Sequence, residues 1–146
     1  MRRYYIYSIE GKFADYYYGR EKMFYQLFVD YNTVSGNLVD IIKKQIDYIT
    51  KPVPTLHIQR LLSRCFNKRN DFYMNGNQFR LEMNTVDSGV ELSIKEDFLF
   101  LKAWGNFDAE LALFEVLRQA EGRLLAIDLK NKRYGWLKPI REQRYI

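Results

Sequence analysis

Residues 3–9, Arg-Tyr-Tyr-Ile-Tyr-Ser-Ile, place Tyr5, Tyr7 and Ile9 on one side of an extended chain and Tyr4 and Ile6 on the other. A strand that is largely apolar on both faces belongs inside a sheet, not at its edge. Yet the chain that follows reads as helix as far as Phe66, and strand patterns return only after Asn67. The first strand must therefore be completed by the C-terminal half. This argues against a boundary between the halves and predicts one domain over residues 1–146, a length suited to a single core.

Between these regions the spacing predicts four helices. A short one over 12–18 ends at Gly19, the residue type usual just past a helix end. A second, over 20–31, has the apolar stripe Met23, Phe24, Leu27, Phe28 and Tyr31. A third, over 37–49, has Leu38, Ile41, Ile42, Ile46 and Ile49 on one face and stops before Pro52. A fourth opens at Pro54 or Thr55 and runs to Phe66, with Ile58, Leu61, Leu62 and Cys65 expected inward.

After Asn67 the period changes from helical to alternating. Asn75-Gly76 is a hairpin signal and Asp87-Ser88-Gly89 a second turn. Phe79, Leu81 and Met83, then Val90, Leu92 and Ile94, alternate with polar residues as one-sided strands of a meander. Residues 98–104 are apolar at nearly every position and are expected to be covered on both faces. Asn106 is placed to cap a helix over 107–120, with Phe107, Leu111, Phe114 and Leu117 expected inward. A strand over 124–129 follows. In the next segment Tyr134 and Trp136 share a face, and Gly135 leaves the other open to close backbone approach. The predicted fold class is α+β: a mostly antiparallel mixed sheet with helices packed on it.

The charge pattern permits several partners. The net charge is +5, and Lys130, Lys132, Arg133, Lys138, Arg141 and Arg144 make the C-terminal region the most basic. A nucleic-acid-binding regulator gripping phosphates through this tail is the alternative reading. Against it, these cations do not lie on one periodic helix face and no base-reading motif accompanies them. One cysteine fits a reducing, cytoplasmic setting.

No catalytic constellation can be assembled, and the chain is not expected to be an enzyme. His57 is the sole histidine and Cys65 the sole cysteine, too few for a usual zinc site. His57 is expected to be structural. Cys65, on an apolar stripe, should behave as a small inert hydrophobe. There is no phosphate-cradling glycine loop and no paired-carboxylate signature. Asp128, at a strand end, suits a salt bridge or a cap. No cofactor and no metal are expected.

Residues that are awkward as core point to a protein partner. Phe13 and Tyr17, four apart, share one face of a helix too short to be stable alone, so their rings must pack on the body or on a partner. Gln45 interrupts the apolar stripe of the third helix; it is either a satisfied core amide or a polar contact on an exposed face. Tyr48 sits three residues on, and tyrosine is favoured at interfaces.

Four stretches carry a family resemblance. They are Arg133-Tyr134-Gly135-Trp136-Leu137-Lys138-Pro139, Arg3-Tyr4-Tyr5-Ile6-Tyr7, Gln45-Ile46-Asp47-Tyr48-Ile49-Thr50 with Pro52 and Pro54, and Phe114-Glu115-Val116-Leu117. In these the chain resembles, from end to end, the sporulation inhibitor of replication family of spore-forming Firmicutes; residues 66–97 match least. The resemblance implies a cytoplasmic protein that binds the N-terminal domain of the initiator DnaA one-to-one, as a monomer, and sterically blocks initiation at the origin during sporulation. It implies no cofactor and no turnover. It also implies a partner-binding face containing Phe13, Tyr17, Gln45, Tyr48 and Pro139.

Overall fold

The computed structural model describes residues 1–16 and 19–138. Among them, eight strands form one sheet flanked by five helices, an α+β architecture. The first strand, β1 (Arg2–Ile9), lies between β6 (Leu99–Gly105) and β7 (Leu124–Asp128). From one edge the path runs β3 (Phe72–Asn75), β4 (Gln78–Glu82), β5 (Ser88–Ile94), β6, β1, β7 and β8 (Arg133–Trp136). The two-residue β2 (Thr50–Lys51) pairs with the end of β1. The sheet is mostly antiparallel, as expected, and every pairing among the described residues is in fact antiparallel.

Helices cover both sides of the sheet. On one side, α4 (Thr55–Phe66) and α5 (Asp108–Ala120) bury Ile58, Leu61, Leu62, Leu113 and Leu117 against Tyr4, Ile6, Leu92, Leu101 and Leu124. On the other, α1 (Gly11–Tyr16), α2 (Glu21–Thr33) and α3 (Asn37–Ile49) bury Ala14, Phe24, Phe28 and Ile46 against Ile9, Leu125 and Ile127. The alternation of β1 and β7 thus feeds two cores, one per face.

The turn from β6 into α5 is tightly specified. Gly105 has φ +71°, and a Cβ there would lie 2.1 Å from the Asp87 carbonyl oxygen, so only glycine fits. The helix starts one residue later than expected, with Phe107 and not Asn106 at its N-cap; Asn106 Oδ1 still accepts the Asp108 N–H at 2.9 Å, while Ser88 Oγ accepts the Ala109 N–H at 2.8 Å.

Four expectations are corrected. On α5 the inward arc is Ala109, Glu110, Leu113, Val116 and Leu117, whereas Phe107 and Leu111 are exposed. The arc is disguised by Glu110, whose buried carboxylate accepts bonds from Arg2 Nε and Tyr4 OH, each at 2.6 Å. On α4 the last turn buries the larger Phe66 against Phe72 and Phe79 and leaves Cys65 exposed. On α2, Met23 is exposed. On β6 only one face is covered: Leu99, Leu101 and Ala103 are buried, but Phe100, Lys102 and Trp104 are half-exposed, because no helix of the described residues lies over the β3–β6 side of that face.

Candidate protein-binding site

The apolar arc of α3 is wider than the body can cover. Ile46 is buried, with Val39, Ile42 and Ile49 half-buried beside it. The other half of the arc faces outward, so Leu38 and Ile41, expected in the core, are 56% and 52% exposed, and Tyr48 is 69% exposed. Gln45, between them, is also exposed, which answers the question left open by its place in the stripe. Leu38, Ile41, Gln45 and Tyr48 follow one another at spacings of three, four and three, one continuous strip about 15 Å long.

Short backbone links fix α1 beside the end of this strip. Glu10 N–H donates to Ile49 C=O at 2.7 Å, and Ser8 and Ile9 pair with Lys51 and Thr50. Ala14 is fully buried and anchors α1. Phe13, half-buried, then meets Tyr48 ring to ring, with centroids 5.2 Å apart and planes at 58°. Lys12 Nζ hangs over both rings, 5.1 Å from Phe13 and 5.8 Å from Tyr48. Phe13, Gln45 and Tyr48 therefore share one end of the molecule. Tyr17 and Pro139 lie outside the described residues, and so do Arg141 and Arg144 of the basic tail.

The segment before Pro139 is pinned to the same helical layer. Trp136 Nε1 donates to Glu21 Oε1 at 3.1 Å, and the Tyr134 and Tyr25 rings stack 4.9 Å apart. Burial pushes the Glu21 carboxyl up, but the bonds from Trp136 and the backbone N–H groups of Glu21 and Gly19 outweigh it and hold the carboxyl below its usual range. Sequence reasoning found the pairing of Tyr134 with Trp136, but not the reason for it.

A concavity of about 540 Å³ opens on the opposite sheet face between α5 and β8. Tyr4, Leu111, Phe114, Ala126 and Leu137 line it, and Gly135 contributes bare backbone. Gly135 leaves this face open as expected, and no backbone has closed on it: beyond its chain neighbours, no atom of the described residues lies within 4 Å of where a Cβ would stand. Its carboxylates are committed to ion pairs, Glu115 with Arg118 at 3.0 Å and Asp128 with Arg133 at 2.9 Å. Asp128 thus does the salt-bridging expected of it. His57 and Cys65 are exposed on α4, and neither lines this concavity. Among the described residues no group of three or more His, Cys, Asp and Glu is placed to hold a metal ion, and no helix is long and apolar enough to cross a membrane.

A family model described as sporulation inhibitor of replication protein SirA matches residues 2–141. The sporulation inhibitor of replication protein SirA of Bacillus subtilis (strain 168) is 36% identical over 147 residues, which cover 99% of this chain and 99% of that protein.

Proposed function

The chain belongs to the SirA family of sporulation inhibitors of replication, and on that premise we propose that it acts by binding the N-terminal domain of DnaA and blocking assembly at the origin. The observation that carries the reading is the outward strip of α3. Two large aliphatic side chains and a tyrosine stand exposed in one row, with the Phe13 ring at its end. Exposed apolar patches of this kind mark interaction sites. Tyrosine and phenylalanine are the residue types enriched at interface centres.

The mechanism is steric. An interface of about 1,600 Å² in total is enough to mask the docking surface of a small domain. Phe13, Gln45 and Tyr48 form its centre in this reading, and Tyr17 and Pro139 extend it. Inhibition then needs no cofactor, no turnover and no contact with nucleotide. In this reading the α3 strip brings the protein to the origin through its partner.

The test is calorimetric titration of the protein into the DnaA N-terminal domain, repeated with Phe13→Ala and Tyr48→Ala. Saturable one-to-one binding that weakens in variants with unchanged circular dichroism is expected. No heat and no complex at any salt concentration or temperature would overturn the reading.

A further inference from the structure

Helices α1–α3 bury Ile9 of β1 and Leu125 and Ile127 of β7, and leave the β6 side of that sheet face open. An open block lies there, reaching about 20 Å along β1 from Ile9. Arg3 on β1 is directly opposite Lys102 on β6, and Tyr5 directly opposite Phe100. All four project to the same side, since Tyr5, Tyr7 and Arg3 alternate with the buried Tyr4 and Ile6.

Two cations directly across an antiparallel pair repel one another. Among the described residues neither Arg3 nor Lys102 has an ion-pair partner, because Glu91, opposite Lys102 on β5, bonds Arg80 instead. Lys130, in the turn after β7, is a third unpaired cation. It joins Arg3, Tyr5, Leu129 and Asn131 around a cavity of about 180 Å³. The one carboxylate there, Asp128, is taken up by Asn131 and Arg133. Beside the cations, Tyr5 and Phe100 form an aromatic platform with ring centroids 5.0 Å apart, and Lys102 Nζ lies 5.8 Å from the Phe100 centroid.

We propose that this open sheet face binds single-stranded nucleic acid, with Arg3, Lys102 and Lys130 gripping backbone phosphates and bases stacking at Tyr5 and Phe100. Unpaired cations set around half-exposed rings are the combination such strands require: charge along the backbone, π faces for the bases. Duplex DNA hides its base faces and could use only the charges. The site is separate from the α3 strip and does not depend on the partner proposed for it.

The test is fluorescence anisotropy of a labelled twelve-nucleotide oligothymidylate titrated with the whole protein between 50 and 200 mM salt. Three phosphate contacts predict that log K falls with log salt at a slope of about −2. Joint Arg3→Ala, Lys102→Ala and Lys130→Ala should flatten that slope and weaken binding about tenfold or more. Phe100→Leu, which keeps the packing but removes the ring, should weaken binding about fivefold or more and leave the slope intact. A charge-matched control, Arg60→Ala with Arg64→Ala and Lys68→Ala, removes three exposed cations of or next to α4 and should leave binding as it was. The proposal is overturned by no binding at 50 mM salt, by equal loss in the control, by a duplex of the same length binding as tightly, or by thymidine monophosphate competing as well as the strand.

Discussion

The Tyr48 ring rests against the Phe13 ring, centroids 5.2 Å apart, although one residue lies in the last turn of a helix of 13 residues and the other belongs to a helix of 6 residues. The two elements are already linked through the backbone of Glu10 and Ile49, and the ring pair lies over that junction. Tyr48 is 69% exposed, so most of its surface remains free for a partner.

Tyr48→Ala should therefore separate binding from stability. Affinity for the DnaA N-terminal domain should fall by about 2 kcal/mol, some thirtyfold, if the ring is an anchor. The melting temperature should move little, since exposed positions rarely change stability by more than about 0.5 kcal/mol. Calorimetric titration beside a thermal melt reads both; a large drop in melting temperature would make the ring structural.

Ile41→Gln makes the same separation in the middle of the strip. A buried isoleucine so replaced would cost several kcal/mol. Here the expected change in stability is near zero, and the expected loss of affinity about tenfold. Gln45→Ala should also leave stability unchanged, because an exposed amide strands no buried partner. Urea unfolding of both variants checks this, and a clear fall in the urea midpoint would return these residues to the core.

What the residues revealed in advance follows from what each pattern depends on. The central place of β1 was legible because apolar residues on both faces of a strand have one physical solution. The ends of α3 were legible because Pro52 stops a helix whatever surrounds it. Which half of the α3 arc is covered depends on the breadth of the neighbouring layer, so Leu38 and Ile41 read as core and are not. The inward arc of α5 was hidden because Glu110 finds Arg2 and Tyr4 more than one hundred residues away, a match that local spacing cannot display. The same holds for residues 98–104, where an apolar run does not tell whether a helix lies above it.

The Glu110 site predicts an alkaline signature. Burial first, then the hydrogen bond and charge of Glu110, push the Tyr4 phenol up to about 12. A raised pKa favours the neutral phenol in the folded state. Its contribution to stability is thus complete below the ordinary value of 10.0 and lost as pH rises through about 12. Subtracting the phenolate absorbance titration of Tyr4→Phe from that of the unsubstituted protein should isolate this late step. Glu110→Ala, which leaves the Arg2 charge without its carboxylate, should destabilise by about 3 kcal/mol; equal stability would show the network to be dispensable.

Asp128 predicts the opposite end of the pH scale. Burial raises its pKa, but the bonds from Asn131 and Arg133 outweigh that and hold the carboxyl below its ordinary 3.8. A lowered pKa contributes stability above the unfolded value, and that stability is lost as pH falls through the folded one. Asp128→Asn should therefore be about 2 kcal/mol less stable at neutral pH, and its urea midpoint should fall less than that of the unsubstituted protein between pH 5 and pH 3. Parallel acid profiles would remove Asp128 from the account.

Lys132 has φ +55°, a left-handed conformation that a lysine tolerates poorly. Lys132→Asn, a residue that accepts this geometry, should raise stability by about 0.5 kcal/mol, measurable as a rise of roughly 2 °C in the melting temperature. A fall would mean that the lysine side chain contributes more than the backbone strain costs.

The seat of β1 between β6 and β7 also sets a timetable. The first strand leaves the ribosome without a neighbour, and its partners Leu99–Ile127 follow about a hundred residues later. At about 5–20 residues per second, that is a wait of several seconds or more in which Tyr4 and Ile6 have no sheet to join. The sheet cannot close until β7 has been made. Because these pairings span most of the chain, folding is governed by long-range closure and is slow compared with that of a helical bundle of the same length.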